Sequence, residues 1–144
     1  MIEPSAVTRE LTAQGLVVRE VQPGMWGCSF DVDGAKQEVL LFVSGSSGYF
    51  VTVSPIVSPR LDSKPSGLTQ KTLATLLEIG STVPLAKIDY KTLAADEVMY
   101  SALSYCSVQG WTGEKLHKRM RDVAILATRV ETALGRDTPA PVAT

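Results

Sequence analysis

The chain has 144 residues, 44% of them hydrophobic and 20% charged, with a formal net charge of −1 at pH 7. Such proportions are globular and the length suits one domain around one core, which excludes a disordered or fibrous chain. Near-neutral charge disfavours the broad basic surface of a general nucleic-acid binder, and no apolar run reaches the roughly 20 residues of a membrane span.

The start Met1-Ile2-Glu3-Pro4 lacks the basic and apolar regions of a signal peptide, so a cytoplasmic protein is expected. From Pro4 to Gln14, Ala6, Val7 and Leu11 recur at helical spacing, with Pro4 in a first turn and Gly15 as a stop. Four strands follow, at Leu16–Val21, Met25–Val32, Lys36–Val43 and Tyr49–Val57, separated by Pro23-Gly24, Asp33-Gly34 and the run Gly45-Ser46-Ser47-Gly48. In the second strand Trp26, Cys28, Phe30 and Val32 alternate with smaller or polar residues, so these four mark the core face. Whether Met25, Tyr49 and Tyr105 face water or core is open at this level. Asp33-Gly34 suits a two-residue hairpin turn, in which both central residues take positive φ.

The Pro-, Ser- and Gly-rich stretch 58–67 reads as a loop, and a helix over Leu68–Ile79 follows. Leu68, Leu73, Leu76 and Leu77 share one side of it and are expected to lie on the sheet, with Ser66 or Gly67 capping the start and Gly80 turning left-handed at the end. Leu85–Leu93 and Val98–Cys106 form a second hairpin around residues 94–97. Thr112 caps a long helix from Gly113 to Leu134, which Gly135 ends, and the tail 136–144 is expected to be disordered. The order is helix, β-meander, helix, β-hairpin, long helix. It predicts an α+β fold: a single domain over 1–135 with an antiparallel sheet of five or six strands and three helices.

Candidate chemistry is sparse. Cys28 and Cys106 belong to no CxxC or Cys/His pair, which leaves two reduced core cysteines or a disulfide. His117, the one histidine, sits in Lys115-Leu116-His117-Lys118-Arg119 with no ligand partner at i+4; a solvated helix face is its plain reading, beside a pH-sensing or catalytic one. The run Ser44–Gly48 matches neither a phosphate loop nor a nucleophile elbow, and Asp31-Val32-Asp33-Gly34 lacks the rest of a calcium loop. Asp96 and Glu97 are adjacent in a turn, which points them apart. No catalytic residue, metal or cofactor is expected, and the chain reads as a non-enzyme.

The last helix carries more information. Leu116, Met120, Val123, Ala127, Val130 and Leu134 form a strict seam that fits either a sheet or a partner helix. Lys115, Lys118, Arg119 and Arg121 crowd its first half, where positive charge opposes the macrodipole. With Met120 they form a candidate surface for an acidic protein partner, against the plainer reading of a solvated face compensated by Glu114 and Asp122.

The element order, together with the stretch Leu76-Leu77-Glu78-Ile79-Gly80-Ser81-Thr82-Val83-Pro84-Leu85-Ala86-Lys87-Ile88-Asp89-Tyr90 and then Val98-Met99-Tyr100-Ser101-Ala102-Leu103, resembles the YbjN family and the related type III secretion chaperone-like proteins. The resemblance spans about residues 5–134. It implies a chaperone-like or regulatory adaptor that pairs into homodimers and binds a protein client, with no cofactor and no catalytic residues to carry over. A second expectation, from another class, is a small-ligand sensor with its pocket between sheet and long helix.

Overall fold

The computed structural model describes residues 2–44, 48–57, 70–94 and 97–135, without the side chains of 90–94, 97 and 98. The chain runs α1 (Pro4–Ala13), β1 (Arg19–Gln22), β2 (Met25–Val32), β3 (Ala35–Ser44), β4 (Tyr49–Ile56), α2 (Gln70–Gly80), β5 (Lys87–Ala94), β6 (Glu97–Ser107) and α3 (Gly113–Leu134). The strands form one antiparallel sheet in the order β1-β2-β3-β4-β6-β5. This is the expected α+β arrangement, with six strands and three helices.

Alternation decides the two faces. Trp26 lies opposite Leu41, Cys28 opposite Val39 and Phe30 opposite Gln37, all buried on the inner face. The same face continues through Phe50, Thr52, Ser54 and Ile56 of β4 to Cys106, Ser104, Ala102 and Tyr100 of β6. Asp33 and Gly34 take φ of 51° and 82°, the two-residue turn expected between β2 and β3. Both cysteines are free, and three strand spacings of about 4.8 Å separate β2 from β6, too far for a disulfide.

The seam of α3 packs on the sheet. Leu116, Met120, Val123, Ala127 and Val130 are fully buried and Leu134 nearly so, and α3 touches β2, β3, β4, β5 and β6. The Thr112 hydroxyl accepts from the Lys115 amide at 3.1 Å, and the Gly135 amide donates to the Glu131 carbonyl at 2.8 Å. Helix α1 lies beside α3, buries Val7 and Leu11, and is tied to β2 where Trp26 Nε1 donates to Thr8 Oγ1 at 3.1 Å.

Three expectations shift. First, β1 begins at Arg19 instead of Leu16: Leu16 and Val18 turn towards the core while Val17 is 90% exposed, so the incoming chain never joins the ladder there. Second, Leu76 is buried, but Leu73 and Leu77 are 44% and 77% exposed. Helix α2 packs on α3 and β5 because α3 already occupies the inner face. Third, Gly80 stays helical and is not left-handed; the Ser81 and Thr82 hydroxyls instead donate to the carbonyls of Glu78 and Ile79, closing the helix end. The expected loops at 45–47 and 58–67, the start of α2, residues 95–96 and the tail 136–144 lie outside the described residues.

Among the described residues no helix touches the other face of the sheet. Leu40, Phe42, Val51, Val53, Leu103 and Tyr105 line its middle, the alternate positions of β3, β4 and β6. Tyr49 and Tyr105, 47% and 49% exposed, meet edge to face there, their ring centroids 6.4 Å apart. Met25 is half-buried on the same face.

One buried carboxylate ties helix to sheet. Glu131 Oε1 accepts from Gln37 Nε2 at 2.5 Å and Oε2 accepts from the Val57 amide at 2.8 Å. Removing it strands two donors, so Glu131→Ala should lower the unfolding free energy by about 3 kcal/mol in urea denaturation. Glu131→Gln keeps one acceptor oxygen and should lose about half as much.

Candidate functional site: the free edge of β2

Strand β1 is too short to cover its neighbour. Its ladder with β2 runs from Gln22↔Met25 to Arg19↔Gly27 and stops. Beyond Gly27 the outward edge of β2 has no strand beside it among the described residues. The two-residue turn makes Val32 and Ala35 a hydrogen-bonded pair. Pairs alternate along an antiparallel ladder, so Phe30 and Cys28 also bond to β3. Ser29 and Asp31 then turn their amide and carbonyl groups outward, to the open side.

A groove follows this edge. One part, about 480 Å³, lies between Leu16, Val17 and Arg19 on one side and Ser29, Phe30, Asp31 and Lys36 on the other. A second part, about 290 Å³, shares Phe30 and Asp31 and continues past Asp33 to Arg121, Ile125 and Arg129 of α3. A third cleft of about 330 Å³ extends from Asp33 and Arg129 towards Ile79 and Thr82. Arg19, Lys36, Arg121 and Arg129 outnumber Asp31 and Asp33 along it, so the groove is cationic with an apolar floor. The side chain of Arg129 is fixed by donating to the Thr82 hydroxyl at 3.0 Å.

Arg19 crosses the sheet beside the groove. Its guanidinium passes over Gly27, where a Cβ would come within 2.8 Å of Nη2, and reaches Glu38 at 3.5 Å. Ser29 Oγ donates to the same carboxylate at 2.8 Å. The three groups pin β1 across β2 to β3.

His117 supports two residues that line the groove, Phe30 and Arg121. Its Nε2 lies 3.2 Å from Arg121 Nη2 and its Nδ1 3.2 Å from Gln14 Oε1, with the ring centroid 5.9 Å from that of Phe30. Arginine only donates, so Nε2 accepts and Nδ1 carries the proton to Gln14. Burial, then the Arg121 charge, pushes the imidazole below its ordinary 6.5. The residue is therefore a neutral bridge between α1, α3 and β2, not a merely solvated side chain.

The basic residues of α3 do not converge. Lys115 Nζ donates to the Gly110 carbonyl at 3.2 Å, while Lys118 and Arg119 each lie 3.9 Å from Asp122 Oδ2. Of the four expected cations only Arg121 turns into the groove, its guanidinium 6.0 Å from the Phe30 centroid; Arg129, further along α3, joins it there. Met120 is fully buried on the sheet and offers nothing to a partner; the seam position that made it prominent is what buries it. The groove itself was missed in the sequence, where Leu16–Val21 reads as one continuous strand.

The described residues hold no cluster of three or more metal-ligating side chains, and no described helix is long and apolar enough to cross a membrane. Burial raises the Cys28 thiol to about 11, so it stays protonated at neutral pH and is a poor nucleophile. Core side chains pack between the sheet and α3, and the three clefts described above lie on the rim.

The depressed imidazole sets a pH dependence. As pH falls below 6.5 the unfolded chain protonates first, so the stability contributed by this histidine is lost as pH drops through its lower folded value. His117→Gln can keep both partners without titrating. Denaturation midpoints measured across this range should slope less in the variant, and an unchanged slope would remove His117 as the cause.

No protein-family model matches the sequence and no curated protein does. Solved structures do. The chain superposes on YbjN of E. coli, a candidate transcription regulator, with a TM-score of 0.61 at 10% identity, over 92% of this chain and 93% of that one. An uncharacterized protein of Methanothermobacter thermautotrophicus matches with a TM-score of 0.55 at 12% identity, over 90% and 94%. A chain of the HopA1–SchA chaperone–effector complex aligns more distantly, with a TM-score of 0.46 at 15% identity over 85% and 84%. The resemblance read from the element order is thus one of fold: α1, the β1–β4 meander, α2, the β5–β6 hairpin and α3 reproduce the architecture of YbjN along nearly their whole length.

Proposed function

We propose that this protein is a non-enzymatic, chaperone-like or regulatory binding module that acts as a homodimer in the cytoplasm and holds an extended segment of a client protein along β2. The observation that carries the reading is the free edge at Ser29 and Asp31, flanked by a cationic groove with Phe30 as its floor. An extended peptide added there would take up the outward amides and carbonyls, while alternate side chains enter the groove. Arg19, Lys36, Arg121 and Arg129 favour acidic residues on the client. Lys115, Lys118 and Arg119 lie further around α3 and act as a longer-range attraction, weakened by the pairing of the last two with Asp122.

Chaperone-like work requires binding without chemistry, and the groove's polar groups are fixed by neighbours instead of poised around a reacting atom. The fold shared with YbjN supports the regulatory version of this reading, and the open edge supports the client-holding version. Direct nucleic-acid binding is disfavoured by the overall charge of −1.

A displayed library of unstructured peptides, selected against the immobilised chain, tests the client site. Enriched sequences should alternate apolar and acidic residues. Asp31→Pro removes one outward donor while sparing the β2–β3 ladder, and it should weaken those peptides at least about tenfold without unfolding the chain. Lys118→Glu with Arg119→Glu should slow association and leave dissociation nearly unchanged. Failure to enrich any peptide, or equal affinity in Asp31→Pro, would refute strand addition at β2.

A further inference from the structure

We propose that Arg121 sets the specificity of the β2 edge by taking the carboxylate of a single client residue, the one that lies opposite Phe30 when an extended segment pairs there. The inference rests on the client reading above and names the side chain that discriminates between clients.

Alternation along β2 limits what the groove can recognise. Ser29 and Asp31 send their free backbone groups outward while their side chains stand on the helix-free face, with Glu38 and Lys36 opposite them on β3. Client residues opposite Ser29 and Asp31 place their side chains on that face too. The residue between them turns the other way. Its side chain lies over Phe30, which is buried, in the cleft of about 290 Å³ that Val32, Ile125, Arg121 and Arg129 also line. Between Ser29 and Asp31 there is one such position.

Four cations border the groove, and three of them are engaged elsewhere or stand on the wrong face. Arg19 reaches Glu38 at 3.5 Å. Arg129 Nη1 donates to the Thr82 carbonyl at 3.3 Å and to its hydroxyl at 3.0 Å, which holds that guanidinium at the end of α2. Lys36 pairs with Asp31 across the ladder, so its side chain stands on the helix-free face. Arg121 has no ion pair among the described residues; on α3, Asp122 is taken by Lys118 and Arg119. Its guanidinium is held by His117 Nε2 at 3.2 Å and lies 6.0 Å from the Phe30 centroid.

This arrangement calls for a particular side chain. The neutral imidazole occupies one donor of the fork and leaves the charge uncompensated, while the planar guanidinium keeps other donors for a carboxylate in two parallel hydrogen bonds. Phe30, Val32 and Ile125 suit methylenes, and the arginine suits a carboxylate. Glutamate carries both, and aspartate is one methylene shorter. Asp33, further along the same cleft, disfavours a second acid towards the turn.

A double-mutant cycle between the full chain and a peptide tests the assignment. The probe is the tightest peptide from the displayed library that Asp31→Pro releases, and it should carry a glutamate at one fixed position. Changing that glutamate to glutamine should weaken binding to the wild type at least about tenfold, and to Arg121→Met less than about twofold. Arg121 is exposed, so Arg121→Met should keep the circular dichroism spectrum of the wild type. Arg129→Met and Arg19→Met should leave the tenfold loss in place. Selection repeated against Arg121→Glu should put lysine or arginine at that one position and leave the others unchanged.

Equal losses on the wild type and Arg121→Met overturn the inference, as does a coupling carried by Arg129 or Arg19 instead. Peptides that Asp31→Pro releases but that share no acidic position overturn it too, and leave the client reading standing. A library that yields no such peptide refutes the client reading, and this inference falls with it.

Discussion

The connections between strands govern this molecule. From β1 to β4 the chain turns back through short links, among them the two-residue turn at Asp33-Gly34, and such turns leave no room for a helix between strands. Helices can enter only before β1, between β4 and β5, and after β6. The last of these must therefore cover most of the inner face. At 22 residues and about 1.5 Å per residue, α3 is about 33 Å long, more than the roughly 24 Å across six strands. The seam from Leu116 to Leu134 lies on the sheet because nothing else is long enough, and Glu131 adds a directional tie to Gln37 and Val57.

With α3 in place, the positions of α1 and α2 follow. Each is left with a flank of α3 and part of the sheet, which buries Val7 and Leu11 on one side and Leu76 on the other. Leu73 and Leu77 stay outside because the surface they would need is taken. The opposite face of the sheet receives no helix among the described residues. An unpaired edge and a helix-free sheet face, among the described residues, are thus two results of one economy of connections, and each suits a different kind of contact. An edge offers backbone hydrogen bonds to an extended chain; a face offers side-chain area to another surface.

Much of this was legible in the residues. The alternation at Trp26, Cys28, Phe30 and Val32 named the core face of β2, Asp33-Gly34 the turn, and Thr112 and Gly135 the ends of α3. These signals are local, and the geometry that satisfies them is local too. Periodicity says which residues share a side but not what lies opposite. It grouped Leu73 and Leu77 with Leu76, although only Leu76 finds a neighbour. It also left Tyr49 and Tyr105 undecided, since β4 and β6 carry apolar residues on both faces and an alternating pattern needs a polar face to show itself. Met120 illustrates the same limit: its place beside Lys118, Arg119 and Arg121 in sequence suggested a shared surface, whereas a step of about 100° per residue turns it to the sheet.

The groove at β2 was illegible for a different reason, since it is made by something the chain fails to do. Leu16 and Val18 have the composition of a strand, but packing against the core draws them inward and takes them out of the ladder. A strand so shortened would fray from β2, as two or three pairs add little stability. Arg19 prevents this by lying across Gly27, whose missing Cβ leaves room for the guanidinium, and reaching Glu38 on β3. The anchor sits at the end of β1 nearest the open segment, so it holds the strand without extending it. Ser29 contributes its hydroxyl to that anchor while its outward backbone groups remain available. Arg19, Ser29 and Glu38 thus keep β1 on the sheet, while the inward turn of Leu16 and Val18 ends its pairing with β2 and so sets where another chain can begin to pair.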